Sequence, residues 1–206
     1  MRIGIDFDNT IAGYDHVFPA AAEREGLIAK GVANSKAAVK SHLHGQPGGR
    51  EAWMHLQGRV YGAFMHQADL IEGVEEFLIR CRNVGVDVFI VSHKTEFGHF
   101  DPDKVNLRDA ALEWMRDQGF FAADKFRLSE SAVFFEPTRA QKVAKIAALN
   151  CAHFIDDLED VFHEPGFPAS TRRHLFSSGL KNNLDKSLHV HTDWTSISDA
   201  VLRCHD

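Results

Sequence analysis

The sequence predicts an α/β fold, a doubly wound, Rossmann-like parallel sheet with a small α-helical insertion near its N-terminus. Three observations predict it. Short apolar runs that read as buried strands (Ile3-Gly4-Ile5, Val86 to Val91, Ala132 to Phe135, Ala152 to Ile155) alternate with stretches of helical periodicity. Three of those runs end in residues that carry chemistry: Asp6 and Asp8, then Ser92, then Asp156 and Asp157. Parallel strands bring such ends to one edge of the sheet, where open α/β folds bind ligands. Finally, about 60 residues, roughly Tyr14 to Asp69, separate the first strand from the second where a bare connection needs far fewer.

After Thr10 the composition turns helical, with Ala20 to Glu25 and Ala37 to Val39, and no strand is predicted before residue 86. Gly45-Gln46-Pro47-Gly48-Gly49 breaks two helical stretches apart. Trp53, Leu56, Val60 and Phe64 recur at spacings of three and four and give one apolar face. A helix is predicted from about Leu70 to Arg82, with Val74, Phe77, Leu78 and Cys81 inward. Asp103 or Asn106 starts the next, which carries Leu107, Ala110, Leu112, Trp114 and Met115 and ends at Gly119. After the strand at 132–135, Glu136-Pro137-Thr138 leads into a helix that runs to about Leu149. The stretch 157–173, with Pro165, Gly166 and Pro168, reads as the longest loop. His174 to Phe176 and Leu188 to Val190 read as closing strands, and Trp194 to Leu202 as a last helix. The expected organisation is a core of residues 1–13 and 70–206 around an insertion of residues 14–69.

A net charge of −6 argues against a nucleic-acid backbone as partner but leaves room for a small phosphorylated ligand, because a bound cation inverts the local sign. Cys81, Cys151 and Cys204 are odd in number and far apart, so they suggest neither a disulfide framework nor a zinc site. The chain goes straight into strand sequence after Met1-Arg2, and no apolar run reaches membrane-spanning length. The expectation is a cytoplasmic protein that engages no membrane. Its oligomeric state is not legible.

Asp6 and Asp8 stand at the tip of a strand that should be buried, where two acids carry a desolvation cost that a cation or a reaction would offset. A calcium loop fits poorly, because Ile11 stands where such a loop needs Gly and a strand rather than a helix precedes it. The segment Asp6-Phe7-Asp8-Asn9-Thr10 resembles the first motif of the haloacid dehalogenase (HAD) superfamily of phosphohydrolases, and all four motifs of that family find counterparts in order. The resemblance covers residues 1 to about 12 and 70 to 206. It implies that Asp6 is the nucleophile, Asp8 the general acid and base, Ser92 the donor to the transferring phosphoryl group, and Lys142 the cation that neutralises phosphate and orients the nucleophile. Lys145 is the rival to Lys142. Thr10, Ser92, His93 and Lys94 are the expected substrate-binding residues.

Hard oxygen ligands without His or Cys favour Mg²⁺. The expected set is Asp6, the main-chain carbonyl of Asp8, and the pair Asp156 and Asp157, with the resemblance favouring Asp157 as direct ligand and Asp160 able to assist. The order within that pair stays open.

The resemblance further implies a Mg²⁺-dependent phosphatase of small phosphomonoesters, nucleotide or sugar phosphates among them, that works through an aspartyl-phosphate. Transfer to another acceptor, as in phosphomutase relatives, and a non-catalytic Mg²⁺-binding module are the alternatives. The insertion matches the place of a helical cap that selects substrates, with His16, Phe18, His42, His44, Arg50 and Tyr61 as candidates for that role. Two pairs of His spaced by two, His42 with His44 and His189 with His191, find no further ligands at zinc spacing.

Overall fold

The first strand, β1 (Arg2–Ile5), is the centre of the molecule because its side chains allow nothing else: Ile3 and Ile5 are fully buried, and Gly4 lets a neighbour lie flat on it. A Cβ at Gly4 would stand 2.5 Å from the Phe154 ring. In this computed structural model, which describes residues 1–177 and 185–203, the other elements follow in order. They are β2 (Ala12–Gly13), α1 (Val17–Arg24), α2 (Lys36–His44), α3 (Gly49–Tyr61), β3 (Asp69–Leu70), α4 (Val74–Asn83), β4 (Asp87–His93) and α5 (Leu107–Asp117). Then come β5 (Val133–Glu136), α6 (Arg139–Leu149), β6 (His153–Asp156), α7 (Glu159–Phe162), β7 (Arg172–Phe176), β8 (Leu188–His191) and α8 (Trp194–Leu202).

Six strands form one parallel sheet in the order β5-β4-β1-β6-β7-β8, and β2 pairs with β3 separately. The chain runs outward from β1 through β4 to β5, then returns to β6 on the other side of β1. The order therefore reverses at β1, and the carboxyl ends of β1, β4 and β6 surround that switch point. On one face Phe154, Leu175 and Leu188 pack with Val143 and Ile146 of α6 and with Val161 and Phe162 of α7. Thr138 caps α6, its hydroxyl accepting from the Gln141 amide at 3.2 Å, so that Lys142 lies just inside the helix start.

Contacts divide the chain into two units. One holds Met1–Ala12, Leu70–Lys94 and Gln118–Asp206; the other holds Gly13–Asp69 and Thr95–Asp117. The sequence assigns 70–206 wholly to the core, whereas the structure groups α5 and its leading loop with the inserted helices. Periodicity reveals that a helix has a buried face but not what buries it. Asn106, not Asp103, starts α5, its side chain accepting from the amides of Arg108 and Asp109. Trp114 of α5 donates its indole N–H to the Ala68 carbonyl at 2.9 Å. Within the same unit Phe18 stacks on Trp53 with ring centres 5.0 Å apart, and Arg59 pairs with Glu25, Asp101 and Asp103.

Two further differences are small. Strands β2 and β3 have two residues each and are too short for any periodic signal, and the predicted loop 157–173 contains the single turn α7. Cys81 and Cys151 are buried thiols, while Cys204 lies outside the described residues. Among the described residues no helix is long and apolar enough to cross a membrane.

Gly4→Ala should lower stability by about 1–3 kcal/mol in urea unfolding, since the Phe154 ring must move off β1 to admit the methyl group. A loss below about 0.5 kcal/mol would mean that the ring is not held there.

Candidate active site

The ladder of β1 continues past its end, the Asp6 amide donating to the Ile155 carbonyl at 2.9 Å. The backbone then turns sharply, with the amides of Ile11 and Ala12 both donating to the Phe7 carbonyl. Asn9 takes the left-handed conformation that this turn requires, at φ 59°, which Asn tolerates better than most residues. Phe7 is fully buried and anchors the turn, leaving Asp6 and Asp8 to meet different cations.

Asp6 meets Lys142. The lysine is only 2% exposed, and its ammonium donates to Asp6 Oδ1 at 2.5 Å and to Asp156 Oδ2 at 2.6 Å. Burial, the largest effect, raises the Asp6 carboxyl; Lys142 pulls it down, Asp156 and Asp8 push it up, and the balance lies at about 7. Burial alone would lower Lys142, but Asp156 and Asp6 outweigh it and hold the ammonium above its ordinary range. The two directions agree physically: the Lys142 ammonium gains from two buried carboxylates, whereas Asp6 has only a share of one ammonium.

Asp156 is fully buried, and its second oxygen accepts from the Leu158 amide at 2.9 Å. Asp6, Asp156 and the half-buried Asp157 each offer a carboxylate oxygen within 4.8 Å of the others. Asp8 meets Lys94, a 4% exposed residue whose ammonium reaches both its oxygens, at 2.8 and 3.1 Å. Four carboxylates against two ammonium groups leave the cluster formally short of two positive charges. An all-oxygen set with that deficit fits a divalent hard cation, Mg²⁺ among them. Asp6, Asp156 and Asp157 are the side chains that would hold it.

The structure thus brings together Asp6, Asp8, Lys94, Lys142, Asp156 and Asp157. Ser92, next to last in β4, is 1% exposed. His93 is exposed, its Nε2 within 3.1 Å of the Pro137 carbonyl, and partial burial lowers its pKa. Thr10 is fully buried with its carbonyl accepting from Trp194, and its hydroxyl has no hydrogen-bond partner among the described residues. Lys145 pairs instead with Glu136 at 3.6 Å, and Arg139 with Asp160 at 3.4 Å. Sequence reasoning listed Lys94 for substrate but missed its grip on Asp8, because strand parity says nothing of where a long side chain ends beyond the strand tip.

Comparison with solved structures gives the same architecture along almost the whole chain. A HAD-family hydrolase from Deinococcus radiodurans, whose structure holds phosphate and sodium, superposes with a TM-score of 0.56 at 15% identity, over 98% of this chain and 95% of that one. The chain has the HAD fold. A phosphoserine phosphohydrolase-like protein from Francisella tularensis gives 0.55 at 12% identity over 97% and 99% of the two chains. Protein Tyrosine Kinase A from Mycobacterium tuberculosis gives 0.63 at 14% over 97% and 96%. No protein-family model matches the sequence, and no curated protein matches it. Within the HAD fold the cluster above lies at the switch point of the sheet.

Lys142→Met should lower stability by about 3–5 kcal/mol in EDTA, because it leaves Asp6 and Asp156 uncompensated in the interior. Added Mg²⁺ should recover part of that loss in the same urea titration. An unchanged midpoint in EDTA would show that the lysine does not carry this charge balance.

Proposed function

We propose that the chain is a Mg²⁺-dependent phosphatase that hydrolyses a small phosphomonoester through an aspartyl-phosphate on Asp6. The observation that carries this reading is the convergence of Asp6, Asp8, Lys94, Lys142, Asp156 and Asp157 at one end of the sheet, with a deficit of positive charge that a divalent cation would fill and so make room for an anionic phosphoryl group. The likeness to HAD-family hydrolases supports it at the level of fold.

In the first half-reaction a carboxylate oxygen of Asp6 attacks phosphorus in line and the P–O bond to the leaving group breaks. The leaving alkoxide takes its proton from Asp8. In the second half Asp8, now a carboxylate, removes a proton from water as that water attacks phosphorus, and the bond to Asp6 breaks to release phosphate. The Lys94 ammonium, in contact with both Asp8 oxygens, would support that carboxylate form. Lys142 holds Asp6 in place and offsets charge on the phosphoryl oxygens, and the Ser92 hydroxyl donates to one of them. Asp6, Asp157 and the Asp8 carbonyl, with Asp156 assisting, would hold a Mg²⁺, which would neutralise part of the phosphoryl charge. Asp156 suits the assisting place, since its oxygens already accept from Lys142 and Leu158. The substrates this reading covers are small phosphomonoesters, nucleotide and sugar phosphates among them.

A second reading, transfer to an acceptor other than water, is favoured by the likeness to Protein Tyrosine Kinase A. The products separate the two: free phosphate for the first, a phosphorylated acceptor for the second. With a panel of phosphomonoesters, phosphate release should require Mg²⁺, vanish in Asp6→Asn, and fall about 10²- to 10⁴-fold in Asp8→Asn. Folded wild type that releases no phosphate from any of them would contradict the phosphatase.

A further inference from the structure

Three histidines outside this site form a continuous chain across the outer strands. His153 Nδ1 lies 2.9 Å from His174 Nε2, His174 Nδ1 lies 3.0 Å from His191 Nε2, and His191 Nδ1 lies 3.1 Å from Ser196 Oγ. All three are buried. The register places His153 opposite Arg172 and His174 opposite His189, so the chain climbs two positions at each strand from β6 to β7 to β8. Ser196 sets its direction. The Ser196 hydroxyl donates to the Asp193 carbonyl at 2.9 Å, which leaves the oxygen to accept from His191 Nδ1–H. His191 Nε2 then accepts from His174 Nδ1–H, and His174 Nε2 from His153 Nδ1–H. Each ring is neutral and carries its proton on Nδ1. A second proton on His174 or His191 would set N–H against N–H.

The chain ends at the head of α8, and that helix reaches the nucleophile turn. Asp193 caps α8 by accepting from the Ser196 amide at 2.7 Å, and Trp194 donates its indole N–H to the Thr10 carbonyl at 3.2 Å. We propose that His153, His174 and His191 form an acid-sensitive latch, a one-way chain of neutral imidazoles that ties β6, β7 and β8 to the head of α8 and comes apart on protonation. The charged and titratable groups facing it among the described residues are Arg172 and His189 on the strands and Asp193 on α8. Asp199 of α8 is engaged with Arg80 of α4 and with Arg203. Burial first, then His153, His191, His189 and Arg172, hold the His174 imidazole down to about 3, and burial lowers His191.

A histidine whose folded pKa is depressed takes up a proton on unfolding once the pH falls below its unfolded value, about 6.5. The latch is therefore fully stabilising above that value and weakens below it. His174, held down furthest, should raise the unfolding constant by up to about tenfold per pH unit below about 6.5, and His191, lowered by burial, should add to that slope. The test reads folding rather than activity, so it stands apart from the catalytic reading. In ¹⁵N spectra of the full chain at pH 7.5, all three rings should be neutral with the proton on Nδ1; an imidazolium, or a proton on Nε2 of any of them, overturns the latch. Urea unfolding between pH 8 and 5 supplies the second arm. His174→Gln, which can still accept and donate but cannot titrate, should leave the limb above about pH 6.5 unchanged and lose up to about one decade per pH unit of the wild-type slope below it. An unchanged slope in the folded variant overturns the proposal, and if the variant does not fold the wild-type spectra decide.

Discussion

A single ammonium group, that of Lys142, lies within hydrogen-bond distance of two buried carboxylates, and the arrangement of the site depends on it. Without it Asp6 and Asp156 would face each other in a desolvated space, which no amount of surrounding apolar packing could offset. The bridge joins the C-terminal ends of β1 and β6 to the start of α6, the three places where a doubly wound sheet opens a crevice. It also explains why the site still lacks positive charge: a lysine that satisfies two acids internally leaves Asp157 to be balanced by something else.

Fold and site share one cause. Gly4 makes room for Phe154 across the central strands, so that Asp6 and Asp156 end adjacent strands in parallel register. The sharp turn at Asn9 then carries Asp8 to a second lysine rather than the first, giving two carboxylates in separate ion pairs. In the proposed reaction, separate partners would let one acid act as nucleophile while the other exchanges a proton. The turn is itself tied by Trp194 to the helix at which the histidine chain ends, through the indole N–H donated to the Thr10 carbonyl.

Much of this was legible in the sequence because burial writes itself into short apolar runs, and parallel topology converts the ends of those runs into neighbours. Asp6, Asp8, Ser92, Asp156 and Asp157 stood out that way, whereas Lys142 was expected from the family resemblance, the break at Pro137 favouring it over Lys145. What stayed hidden depended on pairing that no periodicity encodes. Helix α5 shows an apolar face but not its partner, so its grouping with the inserted helices was missed. The hydrogen bonds among His153, His174 and His191 join positions far apart on three strands, and only the register of β6 to β8 aligns them. His191 was legible only as half of a pair with His189, whereas the structure gives it a different partner.

The claim on which the rest turns is that Asp6 itself carries the phosphoryl group. Borohydride reduces an acyl phosphate but not a free carboxylate, so quenching the turning-over protein with it, in the presence of Mg²⁺ and a hydrolysed phosphomonoester, should convert residue 6 to homoserine. Peptide mass mapping would locate the change. Homoserine at position 6, absent without substrate, is the expected result; phosphate release with residue 6 unmodified, or reduction at Asp8 instead, would contradict the account.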